Sequence, residues 1–189
     1  MLIRILAFLL ETAFFVLIAA ALLRAWMNWL RVSMTGQPGS FVMALTDWLV
    51  KPLRRSLPKA WNHSRVDWAS VVAAALMALA YAVLAGLLFG VLGNVGEDGL
   101  DWAPGVLLML PVIALKMLLR VALQTLFMLV LGYAILSWVQ PGSSAYVLLA
   151  RLTEPLLTPF RRLIPTIGGV DLSALVLLVV LQIGMMILI

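Results

Sequence analysis

The stretch Ala44–Pro58, ALTDWLVKPLRRSLP, recurs without a gap as RLTEPLLTPFRRLIP at Arg151–Pro165. Both stretches carry Leu-Thr followed by an acid, then Pro-x-Arg-Arg, then a closing Pro. The flanks agree as well. Trp26 answers Trp138 ahead of the motif, and Val66-Asp67 answers Val170-Asp171 after it, with a few extra residues in the first copy. Agreement in register over such a length points to an internal duplication. Each copy lies between two apolar runs, so the unit reads as helix, basic loop, helix.

The apolar runs extend from about Ile5 to Trp26 or Leu30, Trp68 to Leu92, Leu118 to Trp138, and Leu172 to Ile189. Each approaches the roughly twenty residues that cross about 30 Å of hydrocarbon at about 1.5 Å per residue. The third is interrupted on its N-terminal side by Pro111, Lys116 and Arg120, so residues 104–117 are read as an interfacial lead-in. The N-terminal apolar run is too long for a secretory signal and reads as a retained span. The expected fold is thus an all-α membrane protein with four transmembrane helices, arranged as two tandem helix-loop-helix repeats in the same orientation. Residues 1–95 form the first repeat, 96–117 an acidic loop with the lead-in, and 118–189 the second. Short amphipathic interfacial helices are expected in the two basic loops.

Composition agrees. The 189 residues are 65% hydrophobic and 11% charged, with a mean hydropathy of +1.13, whereas a soluble domain carries about 25% charged residues. The formal charge is +5, but the basic residues lie beside the apolar runs, which favours anionic lipid headgroups over nucleic acid. Absence of Cys excludes disulfides and thiolate metal sites. Arg31, Lys51, Arg54, Arg55, Lys59 and Arg65 lie between the first two runs, and Arg151, Arg161 and Arg162 between the last two. The middle connection holds Glu97, Asp98 and Asp101 and no base. Positive charge resists translocation, so both basic loops are expected in the cytoplasm, with both termini outside an inner (plasma) membrane.

Ser137-Trp138, Leu-Thr-Glu-Pro at Leu152–Pro155, Pro-x-Arg-Arg-x-Ile-Pro at Pro159–Pro165, and Gly168-Gly169-x-Asp171 before a further span resemble the YggT family. The resemblance covers essentially the whole chain. The first half departs from it, with Trp48 at the motif proline, Leu57 for Ile and no Gly-Gly. It implies a small integral membrane protein without an established biochemical activity. Family members have been linked to osmotic stress and potassium uptake, to division-associated gene neighbourhoods, and in plastids to assembly of a cytochrome complex.

The candidate lipid or partner motif comprises Thr46, Asp47, Arg54 and Arg55 in the first copy, and Thr153, Glu154, Pro155, Arg161, Arg162, Gly168, Gly169 and Asp171 in the second. Thr153 at an N-cap, Glu154 near the positive end of the dipole and Pro155 in the first turn describe a short helix that Pro159 would end. In the first copy Phe41, Val42, Leu45, Trp48 and Leu49 fall on one side at helical spacing, a face suited to the membrane interface. The arginines then reach headgroup level, or pair internally with Asp47, Asp67, Glu154 and Asp171. Glu11, Arg120, Gln124 and Gln182 lie within apolar runs, where polar groups need protein or water beside them. Alignment of the copies places Arg120 near the depth of Glu11, so a pair is expected, serving structure or an ion or proton path. Arg24, near the inner interface, is expected to snorkel.

No nucleophile, base or phosphate-cradling motif is present, and the lone His63 has no second ligand. An enzyme is therefore not expected, nor a cofactor or metal. The favoured reading is a scaffold or membrane-complex assembly factor that contacts anionic lipid and a membrane-protein partner. The alternative is an ion or solute channel or transporter component in potassium or osmotic homeostasis. Ala73, Ala74, Ala78, Ala82 and Gly86 admit a closely packed helix, from this chain or from a second copy in a homo-oligomer.

Overall fold

The computed structural model describes residues 1–34, 36, 38–56, 66–93, 104–162 and 172–188. Six helices run through them: α1 (Leu2–Trp29), α2 (Gly39–Ser56), α3 (Trp68–Gly93), α4 (Pro104–Val139), α5 (Ser144–Arg161) and α6 (Leu172–Leu188). Three segments, Leu2–Trp29, Trp68–Leu88 and Met109–Val139, are long and apolar enough to cross a membrane. At 17 residues α6 is apolar but shorter, reaching about 26 Å at about 1.5 Å per residue. On these helices large apolar side chains face outward, among them Phe8, Leu9, Val112, Leu115, Ile135 and Val179. A helix apolar on every side meets hydrocarbon at no cost where water would penalise it.

The proline that suggested a separate lead-in does not divide the third element. α4 is a single helix of 36 residues with Pro111 inside it. A helical proline removes one backbone donor and crowds the preceding turn, but where no water competes for the freed carbonyls the helix remains the best solution for the neighbouring peptide groups.

The chain forms two compact units, the first of Met1–Asn28 and Ser33–Val121, the second of Trp29–Val32 and Ala122–Ile189. In the first, Ile18 and Ala21 of α1, Ala74, Met77, Ala78 and Ala82 of α3, and Leu110, Ala114, Met117 and Val121 of α4 share a core. The small residues of α3 therefore face neighbours within the chain, and a Cβ on Gly86 would stand 4.0 Å from Leu110. Helix α2 lies on α3 through Val50, Ala69 and Ala73. In the second unit Val130 and Tyr133 of α4, Leu157 of α5, and Ala174, Leu177 and Leu181 of α6 form the core. Lipid tails are as apolar as these side chains, so close packing rather than escape from water holds such helices together.

A tight turn leads into α5. Ser143 N–H donates to the Gln140 carbonyl at 3.2 Å across Pro141 and Gly142, with Gly142 at φ +96°. Proline then glycine at the two central positions is the signature of a type II turn. Ser143 next caps the helix, its side chain accepting from Tyr146 N–H at 3.1 Å. At the start of α2 a Cβ on Gly39 would lie 2.7 Å from the Met34 Cα, so the chain returns upon itself where only glycine fits.

Candidate functional site

The two basic segments contain long amphipathic helices rather than single turns. Thr153 is not an N-cap: α5 begins ten residues earlier at its Ser143 cap and continues through Pro155 and Pro159 to Arg161. The Thr153 hydroxyl instead donates to the Leu149 carbonyl at 2.8 Å, as Thr46 donates to the Val42 carbonyl at 2.7 Å. Both threonines are fully buried. The apolar residues of α2 also divide differently from the single face expected. Val42, Thr46 and Val50, four residues apart, turn to the protein, while Phe41 and Trp48 point outward. Such a helix is apolar on two sides, one packed and one open.

Charge fastens the packed side. Arg24, expected to snorkel, is buried with only 7% of its side chain exposed; its Nη1 donates to Thr46 Oγ1 and to Asp47 Oδ1, each at 2.8 Å. The stem is too closely packed to turn outward, and α2 brings an acceptor and a counter-charge to it. Asp47 thus pairs with Arg24 and, at 2.7 Å, with Lys51 one turn on, and not with the paired arginines. The Lys51 ammonium, and after it the Arg24 guanidinium, hold the Asp47 carboxyl below the ordinary carboxylate range despite some burial. A folded-state pKa below the unfolded value means that stabilisation is complete above about pH 4 and is lost as pH falls through the lower folded value. Thermal scans in detergent should accordingly show little Asp47-dependent change between pH 7 and 5, and a decline at lower pH that Asp47→Asn abolishes.

Within each arginine pair the two members do different work. Arg54 Nη2 donates to Asp67 Oδ2 at 2.6 Å, and Ser70 Oγ donates to the same oxygen at 2.9 Å, which ties the end of α2 to the start of α3. Arg161 donates to Glu154 Oε2 at 3.2 Å and to the Tyr133 hydroxyl at 2.7 Å, and its guanidinium lies 5.8 Å from the Tyr133 ring centre. Tyr133 stacks on Tyr146 with ring centres 5.6 Å apart. Arg55 and Arg162 are exposed, with no ion pair to another described residue. Successive helical residues point about 100° apart, so an Arg-Arg dipeptide at a helix end gives one side chain to the protein and one to the surroundings. Pro155 is half-buried, whereas Gly168, Gly169, Asp171 and His63 lie outside the described residues.

Beside this cluster the second unit has an apolar groove of about 200 Å³. Leu131, Tyr133, Ala134 and Trp138 of α4 and Leu175 and Leu178 of α6 line it, Tyr133 being the acceptor of Arg161. Among the intramembrane candidates, the structure brings Glu11 and Arg120 together, with Arg120 Nη1 donating to Glu11 Oε1 at 3.1 Å. Gln124 is half-buried and Gln182 exposed, both in the second unit. The Arg24–Thr46–Asp47 cluster escaped reading from sequence. So did Gln-Pro-Gly-Ser, which occurs at 37–40 and 140–143 just before or at the start of each connector helix and could have located both.

These elements define an all-helical protein of membrane-spanning character whose polar contacts concentrate in two amphipathic connectors. The chain belongs to the CCB3/YggT family, whose model matches residues 3–88 and 112–189. It is 33% identical to YggT of Escherichia coli K12 over 180 residues, covering 94% of this chain and 86% of that protein. A Vibrio alginolyticus protein named for the proC 3′ region is 37% identical over 178 residues, covering 93% and 89%. A Haemophilus influenzae protein is 34% identical over 162 residues, covering 85% and 78%. No solved structure matches the chain.

Proposed function

We propose that the protein is a non-catalytic scaffold or assembly factor of the inner membrane, whose connector helices α2 and α5 hold anionic lipid and present a surface to a membrane-protein partner. In this reading α6 is the fourth span, residues 1–95 and 118–189 are tandem repeats, and both connectors lie on the cytoplasmic side. The observation that carries it is the division of labour within each arginine pair. Arg54 and Arg161 position the connector; Arg55 and Arg162, with Phe41 and Trp48 on the open side of α2, meet the interface. The apolar groove lined in part by Tyr133 suits an acyl chain, and Arg161 on the Tyr133 hydroxyl brings one cation close to it.

An arginine near an anionic surface contributes about 1 kcal/mol. Arg55→Gln and Arg162→Gln should each lower retention of anionic over zwitterionic phospholipid about fivefold, read by native mass spectrometry of protein purified from mixed-lipid nanodiscs. Unchanged retention in the double variant would refute the lipid reading. Loss of a co-purifying membrane protein in the same variant tests the scaffold reading. Reporter fusions near Lys59 and Glu97 test the topology, which an outside signal at Lys59 would overturn. The second reading, an ion or solute conductor, draws on the Glu11–Arg120 pair within span-length helices. Flux through liposomes that depends on Glu11 would favour it over the scaffold.

A further inference from the structure

Glu11 and Arg120 form an ion pair of a different kind from the one at Arg24. Arg24 is covered by its own chain, whereas the Glu11 and Arg120 side chains keep 41% and 48% exposure. Glu11 is nine residues along α1 from Leu2, about 14 Å from the helix end at about 1.5 Å per residue. Around the pair Phe8 is exposed on α1 and Leu119 on α4, and the one further charge on that face of α4 among the described residues is Lys116, exposed one turn before Arg120. Thr12, next to Glu11, is exposed and small, and it returns its hydroxyl to the Phe8 carbonyl at 2.8 Å.

We propose that this patch is a self-association surface, through which two copies of the chain place Glu11 of each against Arg120 of the other. A carboxylate offers about four acceptor sites and a guanidinium five donors, and a single 3.1 Å bond joins the two here. Hydrocarbon supplies nothing to complete that set, and half-exposed charge at such depth is costly. A second copy supplies what is needed at the right depth. Two copies inserted in the same sense are related by a twofold axis along the membrane normal, and an isologous contact repeats the same patch on both sides. Rotation by half a turn reverses an acid-to-base vector lying across the axis, so each carboxylate faces a guanidinium and a closed four-charge square results. Small Thr12, next to Glu11, leaves room for a second helix to approach. A partner of uniform charge would satisfy one member and repel the other, which is why a second copy fits. This surface is independent of the connector arginines and of the lipid reading.

The test uses the full chain with two different tags, co-expressed and purified in detergent. The variant E11K/R120E keeps an intrachain ion pair with its sign reversed, so α1 and α4 retain an attractive contact at this position. Copies of the native chain should co-purify with one another, and copies of E11K/R120E with one another. A native copy mixed with E11K/R120E sets acid against acid and base against base, and co-purification should fall at least tenfold. Separately, copies of E11K should fail to self-associate and copies of R120E likewise, while E11K with R120E should recover native yield. Native copies that do not co-purify, or native and E11K/R120E copies that mix freely, would overturn the proposal.

Discussion

Asp47→Ala is expected to destabilise the first unit by about 2–3 kcal/mol, well beyond the effect of Lys51→Ala. Removing one member of a buried ion pair leaves an uncompensated charge and costs about 3–5 kcal/mol. Arg24 is such a charge, but Asp47 retains 28% side-chain exposure, and water reaching it lowers the figure. Lys51 is 68% exposed, so its contact with Asp47 contributes less than about 1 kcal/mol. Reversible unfolding in mixed micelles measures both. Removing the buried charge as well, in Arg24→Met with Asp47→Ala, should recover part of the loss, because the penalty lies in the orphaned guanidinium. Equal losses at Asp47 and Lys51 would mean that Arg24 does not depend on this carboxylate.

That cluster also shows where sequence ceases to be legible. The apolar runs could be read because length and hydropathy are properties of a segment alone, and α1, α3 and α6 follow them to within a few residues. Proline is not a stop in either connector or span. Pro111 did not break α4, and Pro159 did not end α5, because each helix is held by packing on both sides of the missing donor. Leu-Thr-Glu-Pro at Leu152–Pro155 is locally a good N-terminal cap, yet Thr153 sits mid-helix, as its counterpart Thr46 does, where burial against neighbouring helices decides the place. The position of Arg24 in a span suggested snorkelling; its actual partners lie 22 and 23 residues away in α2, beyond the reach of any local pattern. The adjacent arginines read as a unit in the sequence, but only the tertiary structure assigns Arg54 to Asp67 and Arg161 to Tyr133 and Glu154.

Leu157→Ala is expected to loosen α5 from α6 at a loss of about 2 kcal/mol or somewhat more. Leu157 is fully buried among Val130, Tyr133, Ala174, Leu177 and Leu181. Core leucine truncations cost about 2–5 kcal/mol in water, part of it lost transfer energy and part the cavity left behind. Where the competing surroundings are lipid the transfer part shrinks, so the packing part should dominate and the lower end applies. Thr153→Val in the preceding turn keeps the shape and gives up the hydroxyl's bond to the Leu149 carbonyl and its longer contact, 3.4 Å, with the Ala150 carbonyl; such local back-bonding adds little to a helix, and the change should stay within about 0.5 kcal/mol. Its counterpart Thr46→Val should cost more, about 1.5–3 kcal/mol, because that hydroxyl also accepts from the buried Arg24 guanidinium. Urea or detergent unfolding of the three variants separates these terms. If Thr46→Val were as harmless as Thr153→Val, Asp47 alone would have to satisfy Arg24, and the threonine would matter only through the volume it fills.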